Sequence, residues 1–254
     1  MIMSSKEVEI IWHQIISEVE ILMDQEPELA GFYHAYILQH DSFDMALSYI
    51  LSNQLSNKVM STVFVRDIIN KVYIACRKIV AYAIQDIKAL FNHGLVHCYS
   101  FSLLHSKGFH ALQAYRISNF LWCEEKKSLA LYFQNRISCL FSVDIHPASM
   151  IGSGIVLDNA IGITIGQTSA IKDSVSVLSQ SLALLGSAFK ISSVQCPKIN
   201  EGVIIGANVA ILGNVVIGEK TKIQACTVVL QSVPPNSIVT SVLAKIVSFK
   251  NINE

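Results

Sequence analysis

Charged residues are scarce in this sequence, and neither sign is in excess. Its 254 residues include 19 basic and 19 acidic side chains, and 15% of the residues are charged against 52% that are apolar. Proteins that bind nucleic acid or anionic membranes through charge carry a basic run or patch, and no such run is present. We therefore expect a small-molecule or protein partner, and an apolar composition that serves contacts between subunits.

Long apolar runs and targeting signals are also missing. The nearest candidate for a membrane span, residues 202–218, is interrupted by Asn208 and Asn214, whereas a span needs about 18 to 20 mostly apolar residues in succession. The amino terminus lacks the basic region and apolar block of a secretory signal. We expect a cytoplasmic protein with no membrane partner.

The sequence contains no CxxC pair. We expect its cysteines to be reduced thiols that mostly fill the core, without a disulfide framework or a metal site. The six are Cys76, Cys98, Cys123, Cys139, Cys196 and Cys226.

Glycine and proline are rare in the first part of the chain. Residues 1–140 contain three of the 12 glycines and one of the five prolines. Apolar residues there recur at steps of three and four, as in Ile11, Ile15 and Val19, which is the pattern of one helix face. We predict that residues 1–140 form an α-helical domain of about six to eight helices, with helical spacing over 42–56, 61–90 and 107–139.

The second part has a period of six, which neither a helix nor a single strand produces. The longest series is Ile199, Ile205, Ile211, Ile217, Ile223 and Val229; a second is Val203, Val209, Val215, Thr221 and Thr227; earlier series are Ile145, Ile151, Leu157 and Ile163, and then Ile165, Ile171 and Val177. Such a period predicts three short strands per coil, each directing an aliphatic side chain to a common axis.

These patterns predict an α+β fold, in which an all-α domain precedes a parallel β-helix of hexapeptide repeats. We place the β-helix domain at residues 141–254, with its repeats between about Val143 and Val229. The rhythm stops between Ser179 and Lys198, so we predict that 179–198 is a loop projecting from the scaffold. The period alone does not set the handedness of the β-helix.

Four stretches resemble bacterial serine O-acetyltransferases of the hexapeptide acyltransferase superfamily. They are EPELAGFYHAYILQH (26–40), KGFHALQAYRI (107–117), FSVDIHPASMIGSGIVLD (141–158) and PKINEGVIIGANVAILGN (197–214). The resemblance implies a left-handed β-helix, a homotrimer with sites between neighbouring β-helices, and a dimer of trimers joined by the helical domains. It also implies acetyl transfer from acetyl-CoA to L-serine for cysteine biosynthesis.

The resemblance further implies which residues carry the reaction. Asp144, in Val-Asp-Ile-His-Pro, corresponds to the residue that orients the catalytic histidine, and Asp158 to one that holds the amino group of serine. Asn159 stands where the family has that histidine. A serine hydroxyl needs a base to attack a thioester, and an amide cannot accept its proton. We therefore expect weak or absent transfer.

The resemblance also implies that residues which bind the substrate in the family are replaced in this sequence. Gln195 and Cys196 replace an Arg-His pair that binds the substrate carboxylate, so a charge-assisted, two-pronged contact is lost. The loop Phe91-Asn92-His93-Gly94 lacks the aspartate that the family uses to bind serine.

The resemblance also implies which residues contact the coenzyme, and this sequence keeps part of that set. We expect no tightly bound cofactor and no metal, with acetyl-CoA as co-substrate. The residues assigned to it are Gly186 and Ser187 in a glycine turn, the small residues Ala207 and Ala225, and Lys245 near a phosphate. The family's long tail, which binds cysteine synthase, has only a short counterpart ending at Glu254, so that partnership is not expected.

Three hypotheses follow from these substitutions. The chain is a weakened serine acetyltransferase, an inactive homologue that serves as an oligomeric scaffold or is a degenerating relic, or an acyltransferase for another acceptor. His146 and Cys196 are the alternative bases in sequence. A residue beside Pro147 is expected to face outward, and an ordinary thiol is a poor base at neutral pH.

Overall fold

The computed structural model describes residues 5–178, 180–186 and 195–241. Residues 5–141 contain eight α-helices joined by loops, with a 3₁₀ turn at Pro27–Leu29 and a π-helical turn at His34–Leu38. The α-helices are α1 Ser5–Gln25, α2 Ala30–Tyr33, α3 Phe43–Leu55, α4 Thr62–Ala75, α5 Arg77–Asn92, α6 Tyr99–His105, α7 Lys107–Cys123 and α8 Lys127–Phe141.

The helices follow the spacing of apolar residues, with two breaks that the sequence conceals. One divides the predicted segment 107–139 at 124–126, between α7 and α8. Ile11, Ile15 and Val19 of α1 lie buried on one face, as predicted. The predicted segment 61–90 is divided at Cys76, which has φ −138° and ψ 80° and so interrupts the helix between α4 and α5. Because neither glycine nor proline marks this position, spacing alone does not reveal the break.

The remaining described residues form short parallel strands. The strands are β1 Val143–Ile145, β2 Met150–Ile151, β3 Val156–Leu157, β4 Ile163–Ile165, β5 Ala170–Ile171, β6 Ser176–Val177, β7 Leu182–Leu185, β8 Lys198–Ile199, β9 Ile204–Ile205, β10 Val209–Leu212, β11 Val216–Ile217, β12 Lys222–Ile223, β13 Val228–Val229 and β14 Ile238–Val239. They build three sheets: a first of β1-β4-β7-β10-β13, a second of β2-β5-β8-β11, and a third of β3-β6-β9-β12-β14.

The six-residue period corresponds to the interior of this β-helix. Every member of the predicted series is buried except Ile151, which is half-buried. Thr221 and Thr227 lie inside as well, and their hydroxyls donate to the carbonyls of Pro234 (3.2 Å) and Gln224 (2.6 Å). Each coil therefore covers the aliphatic side chains of the next, and stacking provides the core.

The β-helix differs from the prediction in two stretches. The prediction that the chain leaves the scaffold throughout 179–198 is wrong for Leu182–Leu185, which pair with β4 and β10 as β7 because Leu182 and Leu184 point inward. Residues 179 and 187–194 of that loop lie outside the described residues. The scaffold also continues past Val229, since β14 pairs with β12.

Helix α7 packs directly on the first coil. Tyr115 donates to the carbonyl of Ser149 at 2.5 Å, and Asn119 donates to the carbonyls of Pro147 (2.8 Å) and Ser149 (3.1 Å). At its start, a Cβ added to Gly108 would lie 1.9 Å from the carbonyl oxygen of Leu157. The helical part and the β-helix are thus joined by an interface with ordered polar contacts; the division at residue 140 into two domains stays a prediction.

All six cysteines are free thiols. The expectation that they mostly fill the core is wrong: Cys196 is buried, whereas Cys123, Cys139 and Cys226 are exposed. Amino-acid composition does not show where each cysteine lies in the fold. An exposed position on a helix or at a β-helix corner accommodates a small side chain whether or not it is polar. None of the described helices has the length and apolar character needed to cross a bilayer.

Candidate active site

Asp158 and Asn159 lie at the corner where the chain passes from the third sheet to the first, referred to below as the Asn159 corner. The Asp158 N–H donates to the carbonyl of Val177 at 3.1 Å, which continues the β3–β6 ladder, and the Asp158 side chain is half-buried. Asn159 and Ala160 then turn through left-handed conformations, with φ of 43° and 55°. Asparagine tolerates this region better than most residues, and the turn leaves its amide exposed.

Asp144 lies on β1, beside the turn that carries Asn159. Residues of β1 pair with β4, and Gly162 at the end of the turn donates to the carbonyl of Ser142 at 2.8 Å. The Asp144 carboxylate accepts a hydrogen bond from the Gln134 amide at 2.7 Å. The fold thus brings Asp144 and Asn159 to neighbouring elements, where a carboxylate can orient a side chain at the corner.

Gln134 is a site residue that the sequence does not reveal. It lies on α8, which packs on β1, and its amide holds one oxygen of Asp144. A glutamine on a helix surface carries no motif, so only the docking of α8 identifies the contact.

Ala207 and Ala225, two of the residues assigned to the coenzyme, lie in line with Asn159 along the β-helix. Leu157, Val177, Ile205 and Ile223 occupy one register in successive coils, so Asn159, Ala207 and Ala225, each two residues later, form one row. Coils in a sheet are about 4.8 Å apart, which places Ala225 roughly 14 Å from Asn159. Neighbouring coils pack closely beside this row, since a Cβ added to Gly206 would lie 2.7 Å from the backbone nitrogen of Ala225.

Gln195 and Cys196 lie at a different corner, between the first and second sheets. Gln195 is exposed. Cys196 is 3% exposed, its N–H donates to the Thr168 hydroxyl at 2.7 Å, and its sulfur fills the space above Gly166. A thiol packed in this way is not placed to accept a proton from a bound acceptor. Gly186 is half-buried directly after β7, and Ser187 and Lys245 lie outside the described residues.

His146 faces outward from the β-helix, where it packs against α7 rather than lying free in solvent. Its ring lies edge-on to Trp122 with centroids 5.1 Å apart, and its Nδ1 accepts the N–H of Ala148 at 3.0 Å. Partial burial lowers the pKa of His146, while the Asp144 carboxylate opposes that shift. One nitrogen is therefore occupied, and the ring is held in a structural contact.

No group of three or more histidine, cysteine or acidic side chains gathers as metal ligands would in the part of the chain that the structure describes. Among the residues that the structure describes, the polar groups at the Asn159 corner are two carboxylates and two amides. This set can bind and orient a small polar molecule, and it has no imidazole of its own.

Comparison with known proteins agrees with this architecture. Residues 11–114 match the family model of the serine acetyltransferase N-terminal domain, and residues 196–231 match bacterial transferase hexapeptide repeats. The serine acetyltransferase of Escherichia coli (strain K12) is 47% identical over 246 residues, covering 96% of this chain and 89% of that protein.

Solved structures agree as well. A truncated serine acetyltransferase apoenzyme superposes with a TM-score of 0.88 at 45% identity, covering 93% of this chain and 98% of that chain. A serine acetyltransferase in complex with CoA gives 0.87 at 43% identity, covering 94% and 100%. These likenesses confirm the predicted fold class, a helical domain followed by a left-handed β-helix of hexapeptide repeats. The chain belongs to the serine acetyltransferase family.

Proposed function

We propose that this chain transfers an acetyl group from acetyl-CoA to the hydroxyl of L-serine, at a rate far below that of relatives with a catalytic histidine. Membership of the family supports the reaction, and a relative whose structure is a complex with CoA supports the co-substrate. The observation that carries the reduced rate is Asn159, which presents an exposed amide at the corner beside Asp158 and near Asp144.

The reduction follows from proton chemistry. In the transfer, the hydroxyl oxygen forms a bond to the thioester carbonyl carbon and must lose its proton as it does so. A positioned general base contributes about 10²- to 10⁴-fold to such a step. The Asn159 amide can donate to or accept from a hydroxyl but does not take the proton, so this factor is lost at the corner.

Binding of the acceptor is weakened by a separate change. A zwitterion such as serine offers a carboxylate that pairs well with a guanidinium through two hydrogen bonds. Gln195 is exposed and neutral, so it provides single, uncharged hydrogen bonds. We propose that Asp158 still attracts the amino group, which leaves a high KM for serine together with a low kcat.

The assembly that we propose is a homotrimer of β-helices, with a dimer of trimers as its larger form. Aliphatic side chains stand exposed on the outer faces of the sheets, including Met150 at 66%, Val228 at 62% and Ile238 at 67%. Burial of such residues between copies removes apolar surface from water. A stable monomer in sedimentation or light-scattering measurements would contradict this assembly.

A second candidate function is an oligomeric scaffold without catalysis. It is favoured by the distribution of the changes: the inward aliphatic series is intact and buried, whereas Asn159, Gln195 and Cys196 fall on the corners. Loss of chemistry with retention of the core is the outcome expected when only the assembly remains useful.

The two functions are separated by one assay on the native chain. CoA release from acetyl-CoA is followed with L-serine, with other small hydroxyl compounds, and with no acceptor. Slow release that depends on L-serine supports the proposed transferase. No release above the uncatalysed rate supports the scaffold, preference for another hydroxyl compound supports a changed acceptor, and a rate equal to that of the Escherichia coli relative contradicts the loss of the base.

A further inference from the structure

Helix α4 is apolar on two opposite sides. On its inner side, Val65 and Ile69 are buried, and the helix packs there on α3, α5 and α7. On its outer side, Val63, Phe64 and Ile74 are exposed at 68%, 52% and 72%. Exposed apolar side chains gathered on one helix face are typical of a surface that another molecule covers.

Two charged residues lie between the apolar ends of this outer side. Asp67 and Lys71 are one turn apart, and their side chains pair at 2.6 Å although both are exposed. Phe64 precedes them and Ile74 follows them on the same side of the helix. In chain order the stripe is therefore apolar, acidic, basic and apolar, and it has no net charge.

The order of this stripe is complementary to its own reverse. Phe64 and Ile74 lie five residues on either side of Ile69, and the two charges lie two residues on either side of it. When two α4 helices run antiparallel about a two-fold axis at the level of Ile69, residues at equal distances from that level face each other. Phe64 then meets Ile74 of the second copy, and Asp67 meets its Lys71. One register thus satisfies the apolar and the charged pairs together.

A cavity adjoins the carboxyl-terminal end of the stripe. It has a volume of about 460 Å³, and its lining includes Met45, Asn70, Tyr73 and Ile74. Met45 is 48% exposed, so apolar side chains stand at the mouth of the cavity. In the antiparallel register, Phe64 of the second copy stands opposite Ile74, at this mouth. Each copy therefore offers one aromatic ring and one hollow, and a two-fold axis matches both pairs.

A second copy fits this surface better than a membrane does. A helix that lies on an anionic membrane carries several basic side chains on its polar face, whereas this stripe has one charge of each sign. In the antiparallel pair, Asp67 and Lys71 of both copies form four alternating charges, so each keeps an opposite neighbour. Two helices of 14 residues make a small contact beside the roughly 1,200–2,000 Å² of a stable interface. Between two trimers the contact occurs three times, which strengthens it.

We propose that the outer side of α4, formed by Val63, Phe64, Asp67, Lys71 and Ile74, is the two-fold contact through which two trimers of this chain join. The inference rests on the proposed assembly and does not depend on catalysis. Phe64 enters the cavity beside Ile74 of the opposite copy, and the charged pairs fix the register of the two helices.

Sedimentation velocity over a range of protein concentrations tests the contact. We expect native protein to sediment as six chains. Phe64→Glu places a carboxylate against the apolar cavity twice in each contact, so we expect trimers, with a dissociation constant between trimers raised by at least about 10²-fold. Ile10→Glu, at a 56% exposed apolar position on α1, is the matched control and keeps six chains. Circular dichroism checks that both variants retain the native helix content.

Charge substitutions test the register of the two helices. Asp67→Lys sets like charges against each other across the two-fold axis, and we expect association between trimers to weaken by about tenfold or more. Asp67→Lys combined with Lys71→Asp restores opposite charges between the copies, and we expect it to recover the native association. If the pair acts only within its own helix, both variants keep the native mass.

The outcomes separate the contact from the assembly and from catalysis. Native trimers that do not associate overturn the inference, as do six-chain assemblies that Ile10→Glu separates and Phe64→Glu leaves intact. Native trimers that instead pellet with vesicles of phosphatidylcholine and phosphatidylglycerol through Phe64 also overturn it. A native dimer that Phe64→Glu splits into monomers supports the α4 contact and contradicts the proposed trimer. Serine-dependent CoA release by the same samples reports on the proposed transferase independently.

Discussion

The Arg116 guanidinium donates to the Asp86 carboxylate at 2.7 Å, with both side chains buried at 4% and 0% exposure. Arg116 also donates to the carbonyls of Ile151 (3.3 Å) and Gly152 (2.8 Å), and Asp86 accepts the N–H of Ile155 at 2.9 Å. One ion pair between α5 and α7 therefore also satisfies the backbone of a β-helix corner. Burial raises the pKa of Asp86, and Arg116 is the main influence that opposes the rise.

Removal of this pair is expected to destabilise the fold strongly. Arg116→Met leaves the buried Asp86 carboxylate without its cationic partner and removes the Arg116 donors from two backbone carbonyls, and breaking a buried pair costs about 3–5 kcal/mol. Urea denaturation followed by circular dichroism measures the free energy of unfolding. The control is Arg77→Met, because Arg77 is 69% exposed in its pair with Asp44 and should change stability by under about 1 kcal/mol. Equal losses in the two variants would contradict the role of the buried pair.

Gly108 is expected to admit no side chain. Its added Cβ would lie 1.9 Å from the Leu157 carbonyl oxygen, so Gly108→Ala must push α7 away from β3. Overpacking of this kind costs about 1–3 kcal/mol, measured as a lower thermal midpoint. Gly31→Ala is the control: no atom lies within 4 Å of its added Cβ, and alanine should stabilise α2 by about 0.5–1 kcal/mol. A neutral Gly108→Ala would show that α7 does not approach the β-helix this closely.

Stability should fall in mild acid because of His110. Burial lowers the pKa of His110 to about 4, while the unfolded chain protonates near 6.5. The unfolded state therefore binds the extra proton first, so the stabilising contribution is complete above pH 6.5 and is lost as the pH falls towards 4. Between pH 7 and pH 5 we expect a loss of about 2 kcal/mol from this group.

The measurement is urea denaturation at pH 7 and pH 5 for native protein and His110→Gln. Subtraction of the variant removes other titrating groups, including Asp86, whose raised pKa acts in the opposite sense. If the native chain loses no more stability than the variant, His110 is not buried in its neutral form.

Much of the fold is predictable from the sequence because aliphatic residues recur at every sixth position over many repeats. Burial of one aliphatic residue in six needs only a fixed coil length, so Ile205, Ile217 and Val229 are placed inside without further information. The pattern conceals β7 because coil length varies: Ile145 pairs with Ile165, Ile165 with Leu184, and Ile205 with Ile223, at separations of about 20, 19 and 18 residues. A one-residue shift removes the periodic signal although the strand still pairs.

The sequence also contains the six-residue spacing at β14, the last strand. Val233 and Val239 are six residues apart and lie beside Ile217 and Ile223, but Pro234 and the shortened coil displace them from the earlier series. A search that allows a change of phase between coils would have included them.

The candidate site was only partly predictable, since motifs identify residues in sequence but not what they touch. Asp144, Asp158 and Asn159 stand in recognisable stretches. The contact of the Gln134 amide with Asp144 arises from the docking of α8 on β1, across a separation of 10 residues. The packing of Cys196 and His146 likewise depends on neighbours, Gly166 and Trp122, that spacing does not bring together.

Asp144 is expected to matter only when a histidine is present for it to orient. In the native chain, Asp144→Ala should change serine-dependent CoA release by less than about threefold. In Asn159→His the same substitution should remove about tenfold or more of the rate, because an orienting carboxylate fixes the tautomer of its imidazole. The four rates form a double-mutant cycle, and equal effects in both backgrounds would contradict an orienting role.

The most direct test of the reduced rate is the kcat/KM of Asn159→His for serine-dependent CoA release. Asn236→His is the matched control, since Asn236 is also exposed with a left-handed φ, 56°, but lies at another corner. We predict that Asn159→His gains about 10²-fold or more over native protein and that Asn236→His gains nothing. A native kcat/KM already equal to that of Asn159→His and of the Escherichia coli relative would contradict the account.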